Sequence, residues 1–474
     1  MNTGSKHTGF AHSLTYFATT AIGQGLGFLL LPFITRTLTP EQYGAYTLAL
    51  TASSLVAVVA SAWVRNVAIR LHFDAVSRGT TRGFLIGVLA LQAALFVSLY
   101  GLLMIGIMLL GVELASWRVM VSAGMAVVVT DFASYAFTIL RAEQRAWSFA
   151  VSEIGGGVLR FALTLGGLTV GIRSAELLFD ATSVGFLIAG AYALMALRGH
   201  LTGPARIDVV AMLEVLRLGP ASLPFGVANW VERLFDRLVV EYYLGTALVG
   251  VYSIGYSLGE RTIGMLVQAV FMMAWPNILA AWEQGKTASA RAAVTEAHKL
   301  YAWFSIGPTV FMTVFGGDLL RLVAGADYHD AAPIVAVIAL SMWAEGFARL
   351  LNRHYELQKR FGPLSGFTVL GALVNLALNI VLVPVFGLMG AAWATLINRL
   401  FNVVVFYLTR DRSLLAVPVW TLVHALAWSL LAWAAVGFLP VPVIAKMAGF
   451  VAVYAPIAII AMRKIDGARL VPPA

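Results

Sequence analysis

The sequence consists largely of long, uninterrupted apolar runs that are separated by short polar connections. Many runs reach the length of about 18 residues that a helix needs to cross a bilayer. Strands of a membrane barrel would alternate apolar and polar residues instead, so the pattern excludes a barrel. The runs predict fourteen spans, at approximately 13–37, 43–64, 83–111, 119–140, 147–172, 177–197, 218–243, 247–275, 300–322, 331–352, 364–385, 388–408, 414–438 and 442–462.

The composition supports the same fold class. Of the 474 residues, 60% are hydrophobic and only 12% are charged, which is about half the charged share of soluble domains. We therefore predict an all-α polytopic membrane protein with about 14 transmembrane helices. The absence of cysteine excludes disulfides and thiolate metal sites.

Lysine and arginine are distributed unevenly between alternate connections. If the N-terminus is cytoplasmic, most of those in the connections fall on the cytoplasmic side, as the positive-inside rule requires. We therefore predict a multi-pass protein of the bacterial cytoplasmic membrane with both termini in the cytoplasm. The net charge of +9 then lies beside anionic lipid, and no nucleic-acid partner is needed to explain it.

The chain contains an internal repeat. LTPEQYGAYTL (38–48) resembles LGTALVGVYSI (244–254), since both carry Leu, then Gly, then Tyr and a hydroxyl residue at the same spacing. The copies are about six spans apart, and an even offset gives both halves the same orientation. We predict two parallel six-helix lobes around a central cavity, plus two extra C-terminal helices. The boundaries are 1–197 (first lobe), 198–216 (cytoplasmic linker), 217–409 (second lobe) and 410–474 (extra helices and tail).

One predicted span, WVERLFDRLVVEYYLG (230–245), carries five ionisable side chains. A charge at mid-bilayer costs about 2.5–3.5 kcal/mol on insertion scales, so several charges facing lipid would be hard to insert. At about 100° per residue, the five fall within roughly half of the helix circumference. The predicted wet face holds Glu232, Arg233, Asp236, Arg237 and Glu241, and the apolar face holds Leu234, Phe235, Leu238, Val239 and Tyr242.

Other predicted spans also contain charges, including Arg160 and Glu345, which suggests a water-filled cavity between the lobes. Guanidinium groups form bidentate, charge-assisted bonds with phosphate oxygens, so this cavity suits a phosphate-bearing substrate. The candidate binding residues are Arg65, Arg233, Arg237, Arg261, Arg349 and Arg399. The carboxylates that could position them, or bind a coupling proton or sodium ion, are Asp131, Glu153, Glu232, Asp236 and Glu260.

A structural interpretation of these charges stays open. Those of residues 230–245 could pair with one another at i,i+3 and i,i+4 and stabilise a lobe. Arg65, at the end of the second span, could extend to the membrane interface instead. Five charges exceed what one structural pair requires, so the cluster as a whole favours a cavity.

Four segments resemble motifs of the polysaccharide-repeat-unit (O-antigen type) flippases, within the multidrug/oligosaccharidyl-lipid/polysaccharide transporter superfamily. The similarity covers nearly the whole chain, although the first turn reads Leu-Thr-Pro where Leu-Gly-Pro is more usual. The segments are LPFITRTLTPEQYGAYTLAL (31–50), NWVERLFDRLVVEYYLGTALVGVYSIGYSLGER (229–261), DYHDAAPIVAVIAL (327–340) and NLALNIVLVPVFGLMGAAWATLI (375–397).

This resemblance implies two lobes that alternate in access. It implies transport of a polyprenyl-diphosphate-linked oligosaccharide from the inner to the outer leaflet, for O-antigen, capsule or exopolysaccharide synthesis. By the same likeness Arg237, in the matching Asp-Arg pair, is the first candidate for the site, with Asp236 positioning it. Arg36 matches the family too, but a structural role at its turn is favoured. Membrane lipid and the polymerase of the pathway are expected partners, and no cofactor is expected.

Two other functions remain as alternatives. A cation-coupled multidrug antiporter of the same superfamily would need fewer arginines in the cavity, because arginines repel cationic drugs. A membrane-embedded polysaccharide polymerase would carry a large extracytoplasmic loop, whereas these loops are short. An acyltransferase would need an intramembrane histidine with polar partners, and His424 stands alone in its apolar run. We therefore expect a transporter and not an enzyme.

Overall fold

The computed structural model describes residues 25–111 and 114–465, together with residues 19, 22 and 23. Within these residues the chain is helical and contains no β-strand. The helices are α1 (Leu31–Thr37), α2 (Pro40–Ala57), a π-helix (Val58–Ala62), α3 (Trp63–Ser77), α4 (Thr81–Leu110), α5 (Trp117–Ala142), α6 (Ala146–Thr169), α7 (Ala175–Leu197), α8 (Val209–Leu218), α9 (Leu223–Leu244), α10 (Thr246–Glu283), α11 (Thr287–Val323), α12 (Ala332–Leu357), α13 (Phe361–Leu408), α14 (Val419–Gly437) and α15 (Val443–Arg463).

The predicted all-α polytopic fold is confirmed, although about 14 spans is slightly more than the described residues show. By length and composition, twelve of their helical segments could cross a membrane. The first predicted span begins at residue 13, and its N-terminal part lies outside the described residues. The eleventh and twelfth predicted spans are two helical stretches within α13, which meet at the non-helical residue Gly387 (φ 57°, ψ −139°). A positive φ is easily adopted by glycine, so the chain bends there without a loop.

Local sequence fixes the beginning of the second span. Thr39 caps α2, because its side chain accepts a hydrogen bond from the Gln42 N–H while the Gln42 side chain accepts one from the Thr39 N–H. Pro40 follows at the first helical position, where it needs no donor. The Gln42 amide also donates to the carbonyl of Arg173 at 2.9 Å, which attaches this turn to the start of α7.

The chain divides into two compact units, with the boundary between Gly250 and Val251. In the unit that ends at Gly250, the core includes Trp63, Tyr135 and Met212. In the unit that begins at Val251, α11 packs against α14 and α15 through an aromatic cluster that includes Phe315 and Phe450. The six-helix lobes with a linker at 198–216 stay a prediction; part of that linker, from Val209 onward, is the helix α8.

The two copies of the repeat fold alike and contact each other. In each, one helix ends and the next begins within two residues, at α1–α2 and at α9–α10. A Cβ added to Gly44 would lie 1.9 Å from the Thr246 carbonyl oxygen, and one added to Gly250 would lie 2.0 Å from that of Pro40. Because Pro40 and Thr246 occupy equivalent positions in the repeat, the contact is reciprocal. Only glycine permits helices to approach this closely.

Candidate functional site

In the unit that ends at Gly250, an ion pair joins the second and fourth spans. A guanidinium nitrogen of Arg65 on α3 bonds to Oδ1 of Asp131 on α5. The Arg65 side chain is 26% exposed and that of Asp131 only 10%. Gln92 on α4 donates to Oδ2 of Asp131 and also to the Ser61 carbonyl, both at 3.4 Å. Side chains from two other helices, α3 and α4, therefore hold the carboxylate, and the guanidinium is its more accessible partner.

The π-helix Val58–Ala62 positions Arg65. A π-turn contains an extra residue, so it rotates every later side chain of the span relative to a regular α-helix. Trp63 closes the distorted turn by donating its indole N–H to the Val59 carbonyl at 2.7 Å. π-bulges are frequent at functional sites, and here one lies directly before the intramembrane arginine.

The charged span is the helix α9, on which Glu232, Asp236 and Arg237 are buried. Oδ1 of Asp236 accepts the backbone N–H of Arg237 at 2.9 Å and its Nη1 at 2.7 Å. The same Nη1 donates to the carbonyl of Arg233 at 2.7 Å. The Asp-Arg pair is thus a small buried unit built from neighbouring residues of one helix.

The division of α9 into a wet and an apolar face is only partly as predicted. Arg233 is exposed, whereas Val239, expected on the apolar face, is buried like the charges. The charges therefore share a protein-facing surface with apolar residues. Trp230, on the same helix, donates its indole N–H to Oγ of Ser54 at 3.0 Å and so attaches α9 to α2.

The remaining candidates of this unit lie on α6. Glu153 and Arg160 are both half-buried there. The Nε of Arg160 is buried and has no hydrogen-bond partner in the part of the chain that the structure describes. Glu241, the last charge of α9, accepts a hydrogen bond from the Thr246 hydroxyl at 2.9 Å and so links α9 to the start of α10.

In the unit that begins at Val251, a second ion pair joins the tenth and twelfth spans. Nη2 of Arg399 on α13 lies 3.3 Å from Oε2 of Glu345 on α12. Here the arginine side chain is 5% exposed and the glutamate side chain 25%. Glu260 and Arg261 are half-buried neighbours on α10. The guanidinium carbon of Arg349 lies 4.7 Å from the centre of the Phe271 ring.

The candidate arginines thus fall into two groups of three. Arg65, Arg233 and Arg237 belong to the first unit, and the second holds Arg261, Arg349 and Arg399. Sequence reasoning named both members of each ion pair without pairing them, and it missed Gln92. The signal for Gln92 was present, because it is a lone amide inside the long apolar run of α4 and is completely buried.

Comparison with known proteins identifies relatives of this chain. The profile of a family described as "Polysaccharide biosynthesis protein" matches residues 33–333. A Haloferax volcanii protein named "Probable low-salt glycan biosynthesis flippase Agl15" is 22% identical over 408 residues, which cover 83% of this chain and 81% of that protein. The family match confirms the resemblance that the sequence motifs indicated.

Solved structures share the fold over nearly the whole chain. "Lipid II flippase MurJ, inward closed conformation" superposes with a TM-score of 0.74 at 15% identity, over 96% of this chain and 99% of that one. An inward-facing multidrug resistance MATE family transporter gives a TM-score of 0.64 at 16% identity, over 85% of this chain and 95% of that one. At these identities the structures establish the fold alone.

Proposed function

Because the chain belongs to the polysaccharide biosynthesis protein family, we propose that it is a flippase for a polyprenyl-diphosphate-linked oligosaccharide. The cargo moves by alternating access from the inner to the outer leaflet of the bacterial cytoplasmic membrane. It then serves the synthesis of O-antigen, capsule or exopolysaccharide, and the polymerase of that pathway receives it. The name of the Haloferax relative, a probable glycan biosynthesis flippase, supports this proposal.

The observation that carries the proposal is the Arg65–Asp131 pair, in which the guanidinium is more exposed than the carboxylate. Asp131 holds the guanidinium fork in place when no anion is bound. A diphosphate can then approach the more exposed side of the guanidinium and form charge-assisted bonds there without having to enter the protein interior. Arg237 is the second proposed contact, and its buried Asp236 fixes its orientation in the same way.

Charge also favours the outward direction. A membrane potential that is negative inside drives an anion outward with about 2.3 kcal/mol per charge for each 100 mV. The carboxylates Glu153, Glu232 and Glu260 are proposed to position arginines or to bind a coupling cation. No catalytic step is required, in line with relatives that are named as flippases.

A cation-coupled multidrug antiporter is the second candidate, because a multidrug resistance transporter shares the fold. Cationic drugs would meet the exposed guanidinium of Arg65, which repels them. The two functions therefore make opposite demands on the same residue.

Mass spectrometry of lipid-linked saccharides, in a strain that lacks the protein, tests the function. We expect a complete oligosaccharide on a polyprenyl diphosphate to accumulate, inaccessible to an impermeant glycosidase added outside spheroplasts. Unchanged lipid-linked saccharides, together with new sensitivity to cationic dyes, would refute the flippase in favour of the antiporter.

A pair of matched variants then tests the site. Arg65→Lys keeps a cation beside Asp131 but loses the fork that binds phosphate. We expect about tenfold slower complementation, since one lost bond to a charged group is worth about 1.5–3 kcal/mol. The control is Arg70→Lys, an exposed arginine five residues later on the same helix, and it should complement normally. If both variants complement equally well, Arg65 does not belong to the diphosphate-binding site.

A further inference from the structure

The helix α12 carries a stripe of charge that the proposed site does not use in full. Glu345, Arg349, Arg353 and Glu356 follow one another at spacings of four, four and three residues, so they share one face of the helix. Glu345 pairs with Arg399 on α13, and Arg353 pairs with Glu356. Guanidinium and carboxylate groups therefore lie next to one another along this stripe and at its contact with α13.

Two arginines of the stripe rest on an aromatic platform provided by α10. The guanidinium carbons of Arg349 and Arg353 lie 4.7 and 4.8 Å from the centre of the same ring, that of Phe271. Arg353 also lies 4.5 Å from the ring centre of Trp275, one turn further along α10. Phe271 is itself 6% exposed, so the platform is a fixed part of the core.

Such stacking arranges the arginines for an anion. A ring attracts the face of a guanidinium group, whereas the N–H donors project from its edge. The side chains are therefore ordered before a ligand arrives, which lowers the entropic cost of binding. The Nε of Arg353 is buried and has no hydrogen-bond partner among the residues that the structure describes.

We propose that Arg349 and Arg353, on the Phe271–Trp275 platform, bind the phosphate group of a lipid at the cytoplasmic end of α12. This end is cytoplasmic in the predicted orientation, where Arg353, Lys359 and Arg360 follow the tenth span. The assignment of that phosphate to the cargo's diphosphate rests on the proposed function. The lipid head group then binds to the stripe at the membrane surface. From there the stripe extends to Glu345, halfway along α12, which pairs with Arg399 of α13.

Binding of inorganic diphosphate to the full-length protein, in nanodiscs of neutral phosphatidylcholine, tests the site by calorimetry. We expect Arg349→Ala and Arg353→Ala each to weaken binding at least about tenfold, because each removes a charge-assisted donor. The matched control is Arg410→Ala, since Arg410 also stacks on a ring, that of Tyr407 at 3.6 Å, but stands outside the stripe. Unchanged binding in the two stripe variants, or an equal loss in Arg410→Ala, would overturn the proposal.

A conservative variant distinguishes a purely structural role of Arg353 from a role in binding phosphate. Arg353→Lys keeps a cation over both rings and should fold normally, yet it should bind diphosphate several-fold more weakly because the fork is lost. If Arg353→Lys binds diphosphate as the parent does, while Arg353→Ala loses thermal stability, the arginine only joins α12 to α10 and the proposal fails.

Native mass spectrometry in nanodiscs that contain phosphatidylglycerol distinguishes the two possible sources of the phosphate, which are the cargo and a membrane phospholipid. Phosphatidylglycerol adducts that depend on Arg353, combined with diphosphate binding that does not, would overturn the assignment to the cargo. The outcome is also independent of transport. The two proposals can fail separately. If the variants lose diphosphate binding but the deletion strain accumulates no lipid-linked saccharide, the flippase function is refuted and the phosphate site is not.

Discussion

An ion pair between two helices is found in each compact unit, Arg65–Asp131 in one and Arg399–Glu345 in the other, and the two pairs are built differently. The acids lie in equivalent spans of the predicted repeat, since Asp131 belongs to the fourth span and Glu345 to the tenth. The arginines do not, because Arg65 comes from the second span and Arg399 from the twelfth. In the first pair the arginine is the more exposed partner, and in the second pair the acid is.

This inversion separates two uses of the same chemistry. A guanidinium that is more accessible than its carboxylate can accept an additional anion. A buried guanidinium whose more accessible carboxylate lies on another helix is better suited to hold the two helices together. We therefore expect Arg65 to act in binding, and Arg399 to act chiefly through its hold on Glu345.

The largest expected effect is loss of stability in Glu345→Ala. This variant leaves the guanidinium of Arg399 buried without that carboxylate, and breaking a buried pair from one side costs about 3–5 kcal/mol. Arg399→Met removes the buried charge and leaves a glutamate that water can reach, so it should cost less, about 1–3 kcal/mol. Thermal unfolding in detergent measures both. A cost of Arg399→Met equal to or above that of Glu345→Ala would contradict the inversion.

In the other unit the order of the two partners should be reversed. Arg65→Ala removes the guanidinium from Asp131, the less exposed partner, so it should lower the unfolding temperature more than Asp131→Ala, which leaves the more accessible arginine. The same thermal assay applies, and the double variant completes a cycle that isolates the coupling energy. Equal effects of the two single variants would show that exposure does not decide the roles.

A smaller effect is expected in transport for Asp236→Asn. The amide oxygen still accepts from the Arg237 backbone, but the charge that orients the guanidinium is lost. Transport should fall about tenfold or more, since bonds to charged groups are worth about 1.5–3 kcal/mol, while abundance stays close to normal. Lipid-linked saccharide levels and immunoblots measure the two quantities. Full activity would exclude the Asp-Arg pair from the site.

Gln92→Leu should have a milder effect on the first pair. Its two hydrogen bonds are long, at 3.4 Å, so their loss should cost about 1 kcal/mol. We expect a small drop in unfolding temperature with Arg65 and Asp131 still paired. A loss as large as that of Arg65→Ala would make Gln92 an equal member of the pair.

The smallest effect concerns Asp411, a carboxylate in the connection after α13. A hydrogen bond from the Ser413 hydroxyl, with further bonds from the Ser413 N–H and Gln358, lowers the pKa of Asp411 below its ordinary 3.8. Because the folded-state pKa is depressed, its stabilisation is present above pH 4 and is lost as the pH falls through the folded value. The difference in unfolding free energy between pH 6 and pH 3 should therefore be smaller in Asp411→Asn than in the parent protein. An unchanged difference would contradict this.

The sequence predicted the fold well because each span is a continuous apolar run that needs no tertiary information. The break between the eleventh and twelfth spans needs no polar loop, and the predicted limits 364–385 and 388–408 lie on either side of the non-helical Gly387. The site was harder to predict. Helical periodicity places residues on a face of their own helix, but the bond between Arg65 and Asp131 joins residues far apart in the chain. The sequence VVASA contains no proline, glycine or other local signal that would indicate a π-helix.

The reciprocal contact of Gly44 and Gly250 is what a gene duplication would produce. Each glycine meets the carbonyl of the other copy's first helical turn, which is the arrangement of an isologous dimer interface, where a surface binds its own copy. Two separate half-length chains inserted in the same orientation would form this contact without any link between them. A gene duplication that joined such halves would retain this contact while the other surfaces diverged. The arginines that pair with Asp131 and Glu345 are an example of such divergence, because they come from non-equivalent spans.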